Sequence, residues 1–231
     1  MQGTRKVARN PRLKRPKVRR FRVFAISDAA SAGKLRVGSL HFPVSIGKGG
    51  VRANKREGDG ATPMGRWKLT QLFYRPDRLR RPPALMPVAP LSANSGWCDD
   101  PSDRNYNRKV VLPYPGSAER LWREDGLYDV VGVLSHNRLP RVKGRGSAIF
   151  MHVAQPNLAP TAGCIALRRE HLTRLLLALG RHAVFAIGKN LPSRSVPATD
   201  GSLSLRAKRR RPASTHRRRH HSSRRAKPAS T

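Results

Sequence analysis

A chain of 231 residues with 48 Lys and Arg against 13 Asp and Glu, a formal charge of +35, can bury one domain with appendages and is far too basic for an ordinary neutral globule. Such a charge attracts nucleic acid, anionic lipid and acidic polymer alike, so it selects no partner by itself. Cys98 and Cys164 are too few for a disulfide scaffold and sit in no zinc-holding spacing, and no apolar run reaches the ~18 residues that span a bilayer.

Residues 1–20 hold nine basic residues, no acid and two prolines without an apolar period, and predict a disordered basic arm. Residues 21–26 follow as a first strand; with Arg22 among only six residues they are too short and polar for the apolar core of a secretory signal. Strands are predicted at 35–37 and 42–46, the second running into Gly47, Gly49 and Gly50, and then at 67–72, 110–112, 128–134 and 148–153. Residues 75–103, with Pro82, Pro83, Pro87 and Pro90, read as a long irregular segment. Leu172, Leu175, Leu176 and Leu179 fall at helical spacing before Gly180 and predict one amphipathic helix over 169–179; a last strand is expected at 183–187. From 191 to 231, Ser, Pro and Ala surround basic runs, a low-complexity tail read as a solvated charge run. The fold class expected is mainly β, a sandwich-like mixed sheet with one helix packed on it after residue 164, over residues 21–190.

Residues 146–167 carry the chemistry. An apolar run delivers His152 at a strand end, and a proline-containing loop leads to Thr161-Ala162-Gly163-Cys164. A thiol beside an imidazole gains a base that can take its proton and return it to a leaving amine. Glycine before the cysteine lets the backbone approach a carbonyl, and the Gly163 and Cys164 amides are then candidate oxyanion donors. The basic core is expected to lower the thiol pKa further. Taken alone, a cysteine is more often a small buried hydrophobe and a histidine a hydrogen-bonded core residue.

The segment resembles the L,D-transpeptidase catalytic domain, the YkuD-type family, whose signature is a histidine, a loop, then Ser/Thr-His-Gly-Cys; His152, Thr161, Gly163 and Cys164 fall on it. A second ordered resemblance is Thr62-Pro63-Met64-Gly65-Arg66-Trp67 after Gly58-Asp59-Gly60. The resemblance implies Cys164 as nucleophile, His152 as general base and acid, Gly163 and Cys164 as oxyanion donors, and Thr161 and Ala162 as turn residues. It implies acyl transfer between peptidoglycan stem peptides through a thioester, in the periplasm or cell envelope, with no cofactor or metal. Three positions depart from the family pattern: Val153 for glycine, Ala162 for histidine, and Ala166 for arginine or asparagine. The step from His152 to Cys164 is also short.

Other residues rank below these. Residues 97–100 and 105–108 form a polar, aromatic patch that is a candidate cleft lining but is expected to be a surface loop held by Asx turns; Cys98 is expected to be structural, Tyr128 a core tyrosine with a satisfied hydroxyl, Asp129 a hydrogen-bond candidate at the site, and His136, the alternative base, an exposed imidazole. The basic tails are expected to gather the protein on anionic polymer. The rival reading is a basic nucleic-acid-binding protein with an inactive core, for which a cytoplasmic location and the absence of a visible signal segment are no puzzle.

Overall fold

A computed structural model describes residues 18–26 and 31–189. In chain order it has strands β1 (Val18–Ala25), β2 (Ala32–Val37), β3 (Leu40–Ser45), β4 (Val51–Arg52), β5 (Thr62–Pro63) and β6 (Gly65–Tyr74). Then come β7 (Val88–Pro90), β8 (Ser95–Cys98), β9 (Arg108–Val111), β10 (Ala118–Arg120), β11 (Val130–Leu134), β12 (Phe150–Val153) and β13 (Ile165–Leu167). Helix α1 (Arg169–Ala178) and strand β14 (Leu179–Gly188) complete the described residues.

The main sheet runs β11-β12-β13-β3-β2-β1-β14-β6-β7, and a further pairing of β6 with β11 closes it on itself into a barrel-like sandwich. Closure is possible because β6 is long enough for several partners. Its residues 65–68 pair antiparallel with β14, and residues 69–74 pair antiparallel with β11, across a register shift between Val133 and Leu134. A bulge of this kind bends a strand around a barrel corner. The interior is lined by alternate residues of the strands, as in β2, where Leu35 and Val37 are buried. Phe21 of β1 and Phe185 of β14 stack there with centroids 5.0 Å apart, both fully buried. Truncating either to alanine removes apolar burial and opens a cavity, a loss of about 3–5 kcal/mol.

Helix α1 covers the barrel with Leu172, Leu175 and Leu176, all buried. No side chain caps its first turn; instead Arg169 is tied to Asp129, Nη2 to Oδ2 at 2.6 Å, and Asp129 also accepts from Arg78 Nη1 at 3.1 Å. The helix is one residue shorter than the leucine period predicts, because Leu179 adopts extended backbone (φ −67°, ψ 118°) and is already the first residue of β14. A buried leucine serves a strand end as well as a helix face, so periodicity cannot separate the two.

The small sheet β10-β8-β9 lies outside the barrel sheet. Trp97 of β8 stands edge-on to Phe150 of β12, centroids 5.1 Å apart, in a second apolar cluster that contains Tyr128 and Cys164. Strands β7 and β8 both fall within the segment 75–103 expected to be irregular. Asx turns do form at Asp100 and Asp103, which accept from Ser102 N and Asn105 N, but Trp97 and Cys98 belong to a fully buried strand. His136 is buried rather than exposed: its Nε2 meets Arg145 O at 2.9 Å and its ring packs against Trp67 at 4.7 Å. β1 begins at Val18, inside the stretch expected to be arm; the remainder of that arm and the tail 191–231 lie outside the described residues.

Candidate active site

Strands β12 and β13 are parallel, with His152 opposite Ala166 and Met151 opposite Ile165. Parallel neighbours need a crossover, and residues 154–164 supply it. Continuing the register by one pair sets Cys164 beside Phe150, whose N–H donates to Cys164 Sγ at 3.4 Å. Alternation along a strand puts Phe150 and His152 on one face, and Cys164 and Ala166 on the same face of the neighbour. His152 and Cys164 are therefore diagonal neighbours, about 8 Å apart at Cα by strand rise and spacing.

Both line one cavity of about 440 Å³, together with Glu57, Asp99, Glu119 and Tyr128. That volume lies within the range of small-ligand sites. Cys164 is buried, 8 % exposed as a residue, and borders the cavity. It donates to Ala148 O at 3.2 Å.

The turn before the cysteine is held from three sides. Thr161 Oγ1 donates to Cys164 O at 2.7 Å and accepts from Gly163 N–H at 3.1 Å. Thr161 also exchanges backbone bonds with the residues just after β3, through Lys48 N to Thr161 O and Thr161 N to Ile46 O. Thr62 Oγ1 accepts from Gly47 N–H at 2.8 Å and donates to Gly163 O at 2.9 Å, which joins the Thr-Pro segment to the cysteine turn. Gly163 has φ +139°, and a Cβ there would lie 2.8 Å from Ala61 O, so only glycine fits.

Hydrogen bonding assigns the histidine tautomer. Nδ1 lies 2.8 Å from Val153 O; a carbonyl only accepts, so Nδ1 carries the proton and Nε2 is left with its lone pair. Burial, reinforced by Arg123, depresses the imidazole pKa to about 4 against the pull of that bond. Burial, reinforced by the Glu119 carboxylate, pushes the Cys164 thiol up to about 12. The expectation that the basic core lowers this pKa is overturned: the cations are mostly solvated at the surface, and Lys55 opposes the shift only weakly. At neutral pH both groups rest uncharged.

Tyr128 has the satisfied hydroxyl expected of it, donating to Glu119 Oε1 at 2.5 Å, yet it also borders the cavity, with its ring edge-on to His152 at 5.1 Å. Asp129 makes no hydrogen bond to the site; its carboxylate pairs with Arg78 and with Arg169 at the start of α1. Asp99, in the patch 97–100, borders the cavity, and so do Glu57, Glu119 and Arg123, to which the sequence does not point. Glu119 is held above the usual carboxylate range by burial first, with Asp99 and Glu57 adding to it, so three of the chain's few acids converge on this cavity. Arg123 pairs with Asp125 and lies over the Tyr128 ring at 5.2 Å. Cys98 and Cys164 are both free thiols. Among the described residues, no group of three or more His, Cys, Asp or Glu is arranged to hold a metal ion.

A search of curated proteins returns no match. A family model for the L,D-transpeptidase catalytic domain, YkuD, matches residues 31–217, well over half of the 231-residue chain. It spans both the Thr-Pro segment and the His152 to Cys164 loop, the two pieces that Thr62 joins, and the chain belongs to the L,D-transpeptidase catalytic domain family.

Proposed function

We propose that this member is an active cysteine acyltransferase on peptidoglycan stem peptides, with Cys164 as nucleophile and His152 as base and acid. The observation that supports this best is the thiol and an imidazole with a free Nε2 on one face of two adjacent strands, bordering one cavity.

The resting pair is neutral, so attack and proton transfer go together. The Cys164 proton passes to His152 Nε2 as Sγ bonds to the carbonyl carbon of the L-centred bond. The carbonyl oxygen becomes an oxyanion facing the Cys164 and Gly163 amides. The Gly163 N–H now rests on Thr161 Oγ1 at 3.1 Å, and a charged acceptor displaces so long a neutral bond, being about twice as strong. Collapse breaks the C–N bond; D-alanine leaves with the proton from Nε2, and a thioester remains on Cys164. An amine of a second stem then attacks the thioester, its proton goes to Nε2 and onward to the departing sulfur.

The acceptor in this reading is an amine. Glu57, Asp99 and Glu119 give the cavity an acidic wall in a strongly basic chain, and Asp99 Oδ1 is buried without a hydrogen-bond partner. An ammonium group is the ligand such a wall attracts before it loses its proton to react. Family members typically work in the cell envelope, which we propose as the location here; among the described residues no helix is long and apolar enough to cross a membrane. We further propose that the basic tails gather the protein on anionic polymer, read from their charge alone. Incubation with a soluble tetrapeptide stem followed by intact-mass measurement tests the reaction: an acyl adduct should form and be absent from Cys164→Ala. A chain that never acquires the adduct, with stem bound or not, would leave the rival nucleic-acid-binding reading in possession.

A further inference from the structure

Residues 137–146 form a loop that is organised internally yet presents apolar side chains to solvent. Asn137 is its internal brace. Its Nδ2 donates to Val142 O at 2.9 Å and Gly146 O at 3.0 Å, while its Oδ1 accepts from Val142 N–H at 2.8 Å. From outside, Asn107 Nδ2 holds Asn137 O at 2.8 Å, Glu57 N–H holds Gly144 O at 2.9 Å, and Lys143 Nζ reaches Ser102 O at 3.1 Å. A loop braced in this way keeps its shape without a partner.

Its surface is unlike that of a solvated turn. Leu139 is 91 % exposed and Val142 49 %. Around them stand Arg138, Arg141, Lys143 and Arg145, and none of these pairs with a carboxylate among the described residues. Arg138 lies over the Trp97 ring at 5.2 Å. Burial and then the positive charges of Arg141 and Arg108 depress its pKa, and none of these three guanidinium groups pairs with a carboxylate among the described residues. Like charges held close by a rigid frame favour an incoming anion.

We propose that residues 137–146 are a preformed docking element that seats the domain on an anionic phospholipid bilayer, Leu139 and Val142 entering the interface while Arg138, Arg141, Lys143 and Arg145 meet headgroup phosphates. Charge complementarity alone would suit any polyanion. A leucine at the tip decides for lipid, because a phosphate backbone or acidic glycan leaves it in water whereas a bilayer buries it. The proposal stands apart from the acyl-transfer reading and survives its failure.

The test uses the full chain, so that both basic ends are common to every variant. Partitioning is measured into vesicles of equal phosphatidylglycerol and phosphatidylcholine, into phosphatidylcholine alone, and onto soluble polyphosphate. Leu139→Ser should weaken binding to the anionic vesicles roughly tenfold, the worth of one inserted leucine, and leave polyphosphate binding unchanged. Arg138→Gln with Arg141→Gln should weaken the vesicle binding on the order of tenfold or more. Leu139→Trp should be quenched by brominated acyl chains. Wild-type partitioning for Leu139→Ser, an unquenched Leu139→Trp, or an equal loss on polyphosphate would each overturn the proposal, and unchanged thermal unfolding of the variants shows that the loop still folds.

Discussion

The reactivity of Cys164 towards a small alkylating agent reports directly on the site. With its pKa pushed up to about 12, the thiolate fraction at pH 7 is on the order of 10⁻⁵, against about 10⁻² for an ordinary thiol at 9.0. That thousandfold deficit corresponds to about 4 kcal/mol of differential stabilisation of the neutral form, at 1.36 kcal/mol for each pKa unit. Iodoacetamide labelling of Cys164, followed by peptide mass from pH 6 to 10.5, should therefore rise about tenfold for each pH unit across the whole range. The denatured chain should level off near pH 9. Glu119→Gln removes the carboxylate that raises the thiol, so labelling should quicken several-fold, but only at pH values where Glu119 of the wild type is ionised. A native-state plateau at or below pH 9 would refute the neutral resting pair, and with it the concerted proton transfer. Fast labelling at neutral pH, which the charge of the chain alone would suggest, runs against the raised thiol pKa.

Thr62→Val keeps the shape of the side chain but leaves Gly47 N–H and Gly163 O without their bridge; about 1–3 kcal/mol of stability should go, with turnover on stem peptide falling more than affinity, and Thr62→Ser should restore both. Asp129→Ala releases Arg78 and Arg169, both partly solvated, so the cost should be about 2 kcal/mol in chemical denaturation rather than the larger value of a fully sealed pair. Burial alone would raise the Asp59 carboxyl, yet bonds from Lys55 Nζ, Ala61 N–H and Arg56 N–H outweigh it and hold the pKa below 3.8. A depressed folded pKa means stability present above the unfolded value and lost as pH falls through the folded one; the denaturation midpoint of the wild type should drop below about pH 4, and that of Asp59→Asn should lack this component.

The strands most easily read from the sequence were those with alternating or β-branched runs, such as 35–37, 42–46 and 67–72, each lying within or largely overlapping an observed strand. Strand β8 escaped notice because Ser95-Gly96-Trp97-Cys98 is buried on both faces and shows no period of two. Strand β13 has only three residues, too few to carry a period. The Thr161, Gly163 and Cys164 turn was legible as a motif, whereas the part played by Thr62 was not: its bond to Gly163 crosses 101 positions. Glu119 and Arg123 sit in 117–125, a short stretch of mixed polar and apolar residues with no clear strand or helix period. Pairing of β10 with β8, Glu119 opposite Trp97, is what carries Glu119 to the cavity. The direction of the thiol pKa was misread for a related reason, since a count of charges weighs distant solvated cations equally with one buried carboxylate.

The departures from the family pattern shift where polarity enters the cavity. Ala166 sits opposite His152 and borders the cavity with a methyl group, and Ala162 borders it as well, so the cysteine strand offers little beyond the thiol itself. Positive charge comes instead from Arg123, already neutralised by Asp125, and negative charge from Glu57, Asp99 and Glu119. None of these lies on β12 or β13. The thiol and imidazole are thus fixed by the closed barrel, while the charged groups that border the cavity sit on the small sheet and its connections (Asp99, Glu119 and Arg123) and on the connection between β4 and β5 (Glu57). Substitutions at 99, 119 and 123 can alter ligand preference without moving the thiol, because the bonds that hold it, from Phe150 N–H and to Ala148 O, belong to β12 and the residues just before it.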